Sequence, residues 1–291
     1  MHIRRLGELF YTATLLNLTL GAFPLFGQLA PPPYVTDFEV SSGISVGTLD
    51  LQDGWQVPHG TAIVGSSSVF SGIASVELLP SSPPTKILRS FAPATGFDVY
   101  YLDLWARPVA SLNPEDASLI EPEGARVSVL RVDSAGRVMA WDSNEAGVGT
   151  WIATGCTFAV EATGQAADFH RFTFCLNYRA KKWNLYVDGK VIAFELGLSG
   201  NSASYFSQFQ LSSTISGSTF LDSLYVGTDN PLFIDSDNDG LADDWEVKYL
   251  GTLNYGPMDD PGGVGRTLLQ SYEGNQSPWP APVVANGLRA W

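Results

Sequence analysis

The feature that most constrains this chain is a long series of short segments, between about residues 34 and 227, in which apolar and polar residues alternate. Alternation with a period of two places one side of each segment against a core and is typical of β-strands. Turn-forming residues separate the segments and no convincing helix interrupts them, so ten or more strands in succession predict a β-sandwich or a barrel. The predicted strands are 61–65, 73–79, 86–91, 97–106, 126–132, 137–142, 169–178, 183–187, 190–194, 205–213 and 219–227.

Two tight turns set the register of predicted hairpins. The four residues 133–136 separate one pair of strands, and Asp188-Gly189 separates another pair with a strong type I′ signal. The run FDVYYLDLWA at 97–106 is apolar on both of its faces, which predicts a strand in the centre of a sheet.

Composition agrees with this fold and excludes several functions. Of the 291 residues, 45% are hydrophobic and only 16% are charged, while 29 Gly and 18 Pro supply many turns. The net charge of −14 argues against binding to nucleic acid or to membranes by electrostatic attraction, because both need a basic surface. With three His and two Cys, the chain cannot build a zinc cluster of the finger type.

The N-terminus predicts export. Arg4 and Arg5 precede the apolar run Leu9–Phe26, and this order is typical of a secretory signal peptide, here residues 1–28. An N-terminal membrane anchor is the alternative, because the run is nearly long enough to span a bilayer. Its Thr, Asn and Pro residues make it poorly hydrophobic and favour the signal peptide. No later segment has the length of a membrane span, so we expect a secreted, extracellular or cell-surface protein without one in the mature chain.

Export also allows a disulfide bond between Cys156 and Cys175. The alternative is two unpaired cysteines in neighbouring strands, and both interpretations stay open because the sequence does not give the distance. A nucleophilic cysteine is not expected, since the mature chain offers only His59 and His170 as a base.

One hairpin supports a resemblance to a known family. The segment HRFTFCLNYRAKKWNLYVDGK at 170–190 resembles the laminin-G-like, concanavalin-A-like lectin/glucanase jelly roll: a strand that opens with His, a Tyr near its end, then a Leu-Tyr-Val-Asp-Gly turn. The segments 37–40, 53–55 and 71–78 are similar to exported jelly-roll modules, and the resemblance covers roughly residues 34–228. It implies an antiparallel β-sandwich that binds carbohydrate or another surface partner on a concave sheet, or a purely structural module.

Catalysis is not predicted. Hydrolases of the laminarinase type on this fold carry the strand motif E-x-D-x-x-E, and no Glu of this chain has Asp two residues later. Glu121 and Glu123 lie two residues apart, but Pro122 between them indicates a loop. No nucleophile-elbow sequence is present. A polysaccharide-degrading enzyme with an unrecognised site stays as the alternative to a non-catalytic protein.

Asp103 and Trp105 are the candidate ligand-binding residues of the predicted sandwich. Together with Tyr101 they share one face of the predicted central strand, and a carboxylate among aromatic rings can hold a sugar. The alternative is a hydrogen-bonded aspartate among ordinary packed aromatic side chains. The same alternative applies to Trp141, Trp151 and Trp183.

A different pattern begins near residue 228. Residues 235–246, DSDNDGLADDWE, match the calcium loop D-x-D-x-D-G-x5-E without a mismatch. Six carboxylates in twelve residues would repel one another without a cation, which favours a Ca²⁺ site over a flexible acidic linker. The predicted ligands are the side chains of Asp235, Asp237, Asp239, Asp243 (directly or through a water) and Glu246, and the backbone carbonyl of Leu241.

A short helix follows this loop, and a second loop and helix follow at 259–275. The pair resembles the exported calcium modules of the thrombospondin type 3 and dockerin kind. The second half departs from that pattern: Gly262 and Val264 stand where Asp is expected, and Ser271 stands where the closing Glu belongs. We therefore expect the second loop to have lost independent metal binding and to survive as a packing partner, and we do not expect cohesin-type docking.

The sequence thus predicts an exported, mainly β protein in two parts. A concanavalin-A-like sandwich at 34–228 precedes an EF-hand-like module at 233–275 and a Pro-rich tail at 276–291, which is typical of a linker. The predicted function is non-catalytic binding of a polysaccharide or an extracellular partner, with Ca²⁺ stabilising the module. A purely structural or adhesive role is a further alternative.

Overall fold

The computed structural model describes residues 29–110, 119–122, 127–144, 146–161, 164–198, 205–233, 235–273 and 277–280. The predicted signal peptide at 1–28 and most of the predicted tail, from residue 281 onward, lie outside the described residues. Within the described part of the chain, no helix has the length and apolar character needed to cross a membrane.

Within these ranges the chain forms sixteen strands and two short α-helices. The strands are β1 Tyr34–Thr36, β2 Gly47–Thr48, β3 Gln56–His59, β4 Ala62–Gly65, β5 Ser75–Leu78, β6 Lys86–Ser90, β7 Val99–Arg107, β8 Ile120–Pro122, β9 Leu130–Val132, β10 Arg137–Ser143, β11 Gly149–Thr157, β12 His170–Asn177, β13 Lys182–Val187, β14 Lys190–Gly197, β15 Gln208–Ser212 and β16 Thr219–Gly227. The helices are α1 Asp243–Tyr249 and α2 Leu268–Glu273.

The described strands form two antiparallel sheets, as the alternation predicts. The first sheet has the order β14-β13-β12-β7-β16-β5-β4-β2, with β1 paired beside β16, and the second has the order β11-β10-β9-β8-β15-β6-β3. The protein is therefore mainly β and folds as a sandwich, which confirms the predicted fold class. The predicted central strand is also confirmed, because β7 lies between β12 and β16.

The core lies between the two sheets and is rich in aromatic side chains. Tyr100 and Leu102 of β7 and Phe172 of β12 are fully buried, because alternate residues of each strand face the opposite sheet. Trp183 stacks on Phe174 with ring centroids 5.5 Å apart, so this tryptophan packs in the core as the alternative interpretation has it.

The predicted Asp188-Gly189 turn is confirmed. Both residues have positive φ, 49° and 77°, as a type I′ turn requires. This turn joins β13 to β14 in the expected register, with Val187 opposite Lys190.

Three strands of the second sheet differ from the sequence expectation, and the first of them, β3 at Gln56–His59, was not predicted. The segment around Pro122, between Glu121 and Glu123, was expected to be a loop, but Ile120–Pro122 forms β8, which is paired with β9 and β15 on its two sides. Pairing with neighbours on both sides outweighs the turn preference of Pro122, which lies at the end of the strand. The strand Gly149–Thr157 was not predicted, because its Gly and Thr residues hide the alternation.

The C-terminal helices form a small core of their own. Leu241, Trp245 and Leu268 are buried there, and the Trp245 ring lies 5.5 Å from the Tyr272 ring in an edge-on contact. One side of α1 therefore packs against α2, while the other side faces the acidic loop.

Candidate functional site

The acidic loop before α1 brings carboxylates together. One oxygen each from Asp235, Asp237 and Asp239 lies within 4.8 Å of the others. The two Asp235 oxygens accept hydrogen bonds from the backbone N–H groups of Asp239 at 3.1 Å and Gly240 at 2.9 Å, which wraps the loop around this side chain. Gly240 has a φ of 92°, a conformation that a residue with a Cβ adopts only under strain.

Glu246, on α1, has the least favourable surroundings for a carboxylate in this site. It is fully buried, and neither carboxylate oxygen has a hydrogen-bond partner among the described residues. Burial and the nearby Asp239 and Asp237 carboxylates raise the pKa of Glu246 from its usual 4.5 to about 7. An unpaired carboxylate buried beside other carboxylates is costly unless a cation joins them.

The other predicted ligands have different surroundings. Asp243 accepts hydrogen bonds from the backbone N–H and the hydroxyl of Ser236, and these bonds lower the pKa of Asp243. Leu241 is fully buried in the small core, and its backbone N–H donates to Asp239 at 2.8 Å. These contacts brace both ends of the loop, and the donors that converge are all oxygen atoms, the type that hard cations such as Ca²⁺ prefer.

The second loop repeats the backbone pattern of the first. The Asp260 carboxylate accepts from the N–H groups of Val264 at 3.0 Å and Gly265 at 2.8 Å, four and five residues later. Asp235 makes the same two bonds in the first loop. Gly265, with a φ of 75°, corresponds in this register to Gly240.

The remaining positions of the second loop carry no ligand oxygens of the same kind. A Cβ atom on Gly262 would lie 2.1 Å from the backbone oxygen of Pro278, so the chain after α2 occupies the space that a side chain would need. Ser271, in the register of Glu246, is fully buried and its hydroxyl has no partner among the described residues. The Trp279 indole N–H donates to the Tyr249 carbonyl at 2.6 Å, which fastens this segment to the end of α1.

Asp103 and Trp105 lie on the outer face of the first sheet, where other side chains contact both of them. Asp103 is held by the Arg171 guanidinium, with Nε at 2.9 Å from one oxygen and Nη2 at 3.0 Å from the other, and by the Thr173 hydroxyl at 2.5 Å. The Phe70 ring stacks on Trp105 with centroids 3.6 Å apart. These surroundings are those of the alternative interpretation: Asp103 is a hydrogen-bonded aspartate, and Trp105 is a packed aromatic side chain.

The hydrogen bonds around Arg171 and Tyr225 instead connect the sandwich to the segment that leads into the acidic loop. Arg171 Nη2 also donates to the Pro231 carbonyl at 2.9 Å, and the Tyr225 hydroxyl donates to the Asp229 carbonyl at 3.0 Å. Asp103 therefore orients the side chain that holds the segment leading into the acidic loop.

The two cysteines are free thiols, so the disulfide bond that the sequence allowed is not formed. Cys175 lies on β12 of the first sheet and Cys156 on β11 of the second. Burial raises the pKa of both thiols, which favours the unreactive protonated form.

The outer face of the second sheet carries a group of residues that sequence reasoning missed. Arg131 of β9 lies between the fully buried Leu130 and Val132, so its side chain is on the opposite, outer side of the sheet. Even there, Arg131 is only 7% exposed. Its guanidinium carbon lies 4.9 Å from the centre of the Trp151 ring, and its Nε has no hydrogen-bond partner among the described residues. Burial lowers the pKa of Arg131.

A second tryptophan extends this face. Trp141 contacts Trp151 edge-on with centroids 5.3 Å apart, and a Cβ on Gly149 would lie 2.5 Å from the Trp141 indole. Further along the same face, Lys86 Nζ donates a hydrogen bond to Gln210 Oε1 at 3.1 Å and lies 3.8 Å from Glu121 Oε2. These groups come to one face only through the pairing of six neighbouring strands, β11, β10, β9, β8, β15 and β6, and neither β8 nor β11 was predicted as a strand.

No protein-family model and no curated protein sequence matches the chain. Among solved structures, it is similar to the binding domain of botulinum neurotoxin DC in complex with SialylT (13% identity, TM-score 0.42, 62% of this chain and 43% of that one). It is also similar to a sialidase (10% identity, TM-score 0.45, 70% of this chain and 19% of that one). A third similar structure is the globular domain of T. cruzi calreticulin (10% identity, TM-score 0.42, 68% of this chain and 89% of that one).

The chain spans less than half the length of the first two of these structures. With identities of 13% or less and TM-scores below 0.5, the likenesses say nothing about what this chain binds.

Proposed function

We propose that this chain is an exported, non-catalytic binding protein in which a Ca²⁺-binding loop–helix unit follows a β-sandwich. The observation that carries the calcium part is the fully buried Glu246 carboxylate, whose oxygens have no hydrogen-bond partner among the described residues. A single cation beside it would satisfy these oxygens and relieve the repulsion from Asp237 and Asp239.

The identity of the cation follows from the donors. The loop offers carboxylate and backbone oxygens, and residues 235–246 contain neither His nor Cys, which the softer transition metals prefer. Ca²⁺ takes about six to eight oxygen ligands in flexible geometry. Asp235, Asp237, Asp239 and Glu246 are the side chains that would hold it.

Metal binding at this place would order the whole C-terminal unit. Glu246 and Trp245 are adjacent on α1, so one faces the loop while the other packs on α2. Bound Ca²⁺ supplies the positive charge that this group of carboxylates lacks, and it thereby ties the loop to the small core.

The sandwich is the part to which we assign binding of a polysaccharide or an extracellular partner. Support comes from the predicted signal peptide at 1–28, the jelly-roll resemblance of the 170–190 hairpin and the absence of an E-x-D-x-x-E motif from the sequence. A polysaccharide-degrading activity is the competing hypothesis, and release of reducing ends from mixed polysaccharides by the purified protein would establish it.

Calorimetric titration with CaCl₂ tests the calcium proposal on the wild-type protein and on Glu246→Gln. We expect one bound ion in the wild type and at least a tenfold weaker affinity in the variant, because the amide keeps the shape but loses the charge. Asp244→Asn is the matched control: it also removes one carboxylate from α1, at a position outside the calcium-loop pattern. Equal affinity in wild type and Glu246→Gln, or no binding at millimolar Ca²⁺, would contradict the proposal.

A further inference from the structure

We propose that the outer face of the second sheet binds a saccharide that bears a carboxylate, with Arg131 holding the carboxylate and the Trp151–Trp141 pair holding an apolar face of the sugar. The inference rests on the proposed binding function of the sandwich and assigns that function a site and a class of ligand. We call this group of three residues the arginine–tryptophan face.

The first argument is the incomplete hydrogen bonding of the buried Arg131 guanidinium. Its guanidinium stays protonated in proteins, and the residue is 93% removed from solvent while its Nε has no partner among the described residues. The Asp133 carboxylate is close enough to Arg131 to act on its pKa, but Arg137 shares that carboxylate, at 2.8 Å from Nε and 2.7 Å from Nη2. A buried cation in this state gains from an anion supplied by a ligand.

The second argument is geometric. The Arg131 guanidinium lies over the Trp151 ring, 4.9 Å from its centre, and a planar guanidinium matches a carboxylate with two parallel hydrogen bonds. The Trp141 ring lies beside Trp151, and Gly149 gives it the room to do so. A planar cation next to two indole rings therefore forms a preorganised surface.

The third argument separates a saccharide from a peptide. β9, which carries Arg131, and β10, which carries Trp141, have partner strands on both sides, so an extended peptide could add as a further strand only along the edge strand β11, away from Arg131. A ligand at Arg131 must therefore bind to side chains, and Lys86 and Gln210 on the same face are partly exposed polar groups suited to hydroxyl groups. The net charge of −14 does not attract anions, so recognition of a carboxylate depends on this local cation.

The test uses the full-length exported protein and a panel of carboxylate-bearing oligosaccharides: galacturonate, glucuronate, mannuronate/guluronate and sialyl series. Each is paired with its methyl ester or neutral counterpart. We expect at least one acidic member to bind in calorimetry at least tenfold more tightly than its neutral counterpart. Arg131→Gln should abolish that preference, and Arg131→Lys should restore only part of it, since an ammonium lacks the planar fork.

Arg179→Gln is the matched control, because it removes the same charge from a side chain that is 84% exposed and lies in the β12–β13 turn. We expect it to bind like the wild type. Near-ultraviolet circular dichroism and calcium titration identify any variant that has lost its fold, and Trp151→Phe, which keeps Arg131, should then weaken binding of both members of a pair.

The outcomes distinguish the inference from the function on which it rests. Tight binding of neutral saccharides with no effect of Arg131→Gln would overturn the arginine–tryptophan face and leave the binding function in place. Absence of binding to every acidic and neutral saccharide would overturn both.

Discussion

The two loops of the C-terminal unit have the same backbone arrangement and different side-chain chemistry. Asp235 and Asp260 each accept hydrogen bonds from the N–H groups four and five residues later, and a glycine with positive φ follows in both. Only the first loop then places carboxylates at the third, fifth and twelfth positions.

On the proposed assignment of Ca²⁺ to the first loop alone, the difference separates the shape of such a loop from its capacity for metal. An aspartate at the first position and a glycine at the sixth are enough to fold the loop, because they supply the local hydrogen bonds and the left-handed turn. The proposed metal site needs further carboxylates, which repel one another, and above all Glu246, whose burial is unfavourable without a cation.

Replacing the first aspartate in each loop should give the largest contrast. Asp235→Ala removes a ligand and two hydrogen bonds, so we expect calcium affinity to fall at least a hundredfold. Asp260→Ala removes only the corresponding hydrogen bonds, and we expect calcium affinity to change less than threefold. Calorimetry on both variants measures this, and a similar loss of affinity in both would mean that the second loop also binds an ion.

Removing calcium should affect the two parts of the protein very differently. Chelation leaves the buried Glu246 carboxylate without a counter-charge, so we expect the amide hydrogens of 235–273 to exchange at least tenfold faster. The β7, β12 and β16 strands of the sandwich should keep their protection. Hydrogen-exchange mass spectrometry with and without chelator gives the answer, and uniform protection across the chain would contradict metal-dependent ordering.

The sequence allowed the sandwich to be predicted because its strands alternate clearly and its turns have standard residues. Asp188-Gly189 fixed one hairpin, and the doubly apolar run at 97–106 identified the central strand. Ile120–Pro122 and Gly149–Thr157 escaped prediction, since they are strands by virtue of their neighbours rather than of their own pattern.

The candidate sites differ in the same way. The proposed calcium loop is local in sequence, so the spacing of its carboxylates alone leads to the proposal. The arginine–tryptophan face depends on three strands that meet only in the folded sheet, and no spacing rule connects Arg131 to Trp151. Asp103 was a candidate ligand-binding residue because aromatic residues flank it in the sequence. Its carboxylate is instead held by Arg171, which is far away in the sequence.

A smaller effect is expected where the tail crosses the second loop. In Gly262→Ala, the new Cβ would meet the Pro278 carbonyl at 2.1 Å, so the segment 277–280 has to move away. We expect the unfolding free energy of the C-terminal unit to fall by about 1–3 kcal/mol, the usual range for overpacking. Chemical denaturation followed by Trp fluorescence measures the change. Gly256→Ala, where a Cβ would meet nothing within 4 Å, is the control, and equal loss in both would contradict this packing.

The smallest predicted effect concerns the hydrogen bond that fastens this segment to α1. Trp279→Phe removes the indole N–H that donates to the Tyr249 carbonyl at 2.6 Å but keeps an aromatic ring in place. A neutral hydrogen bond contributes about 0.5–1.5 kcal/mol, so the unit should lose stability within that range while its calcium affinity changes less than threefold. Denaturation at saturating Ca²⁺ and a parallel calcium titration measure the two quantities. A large fall in calcium affinity would show that the segment acts on the first loop through α1, and the two loops would then be coupled rather than separable.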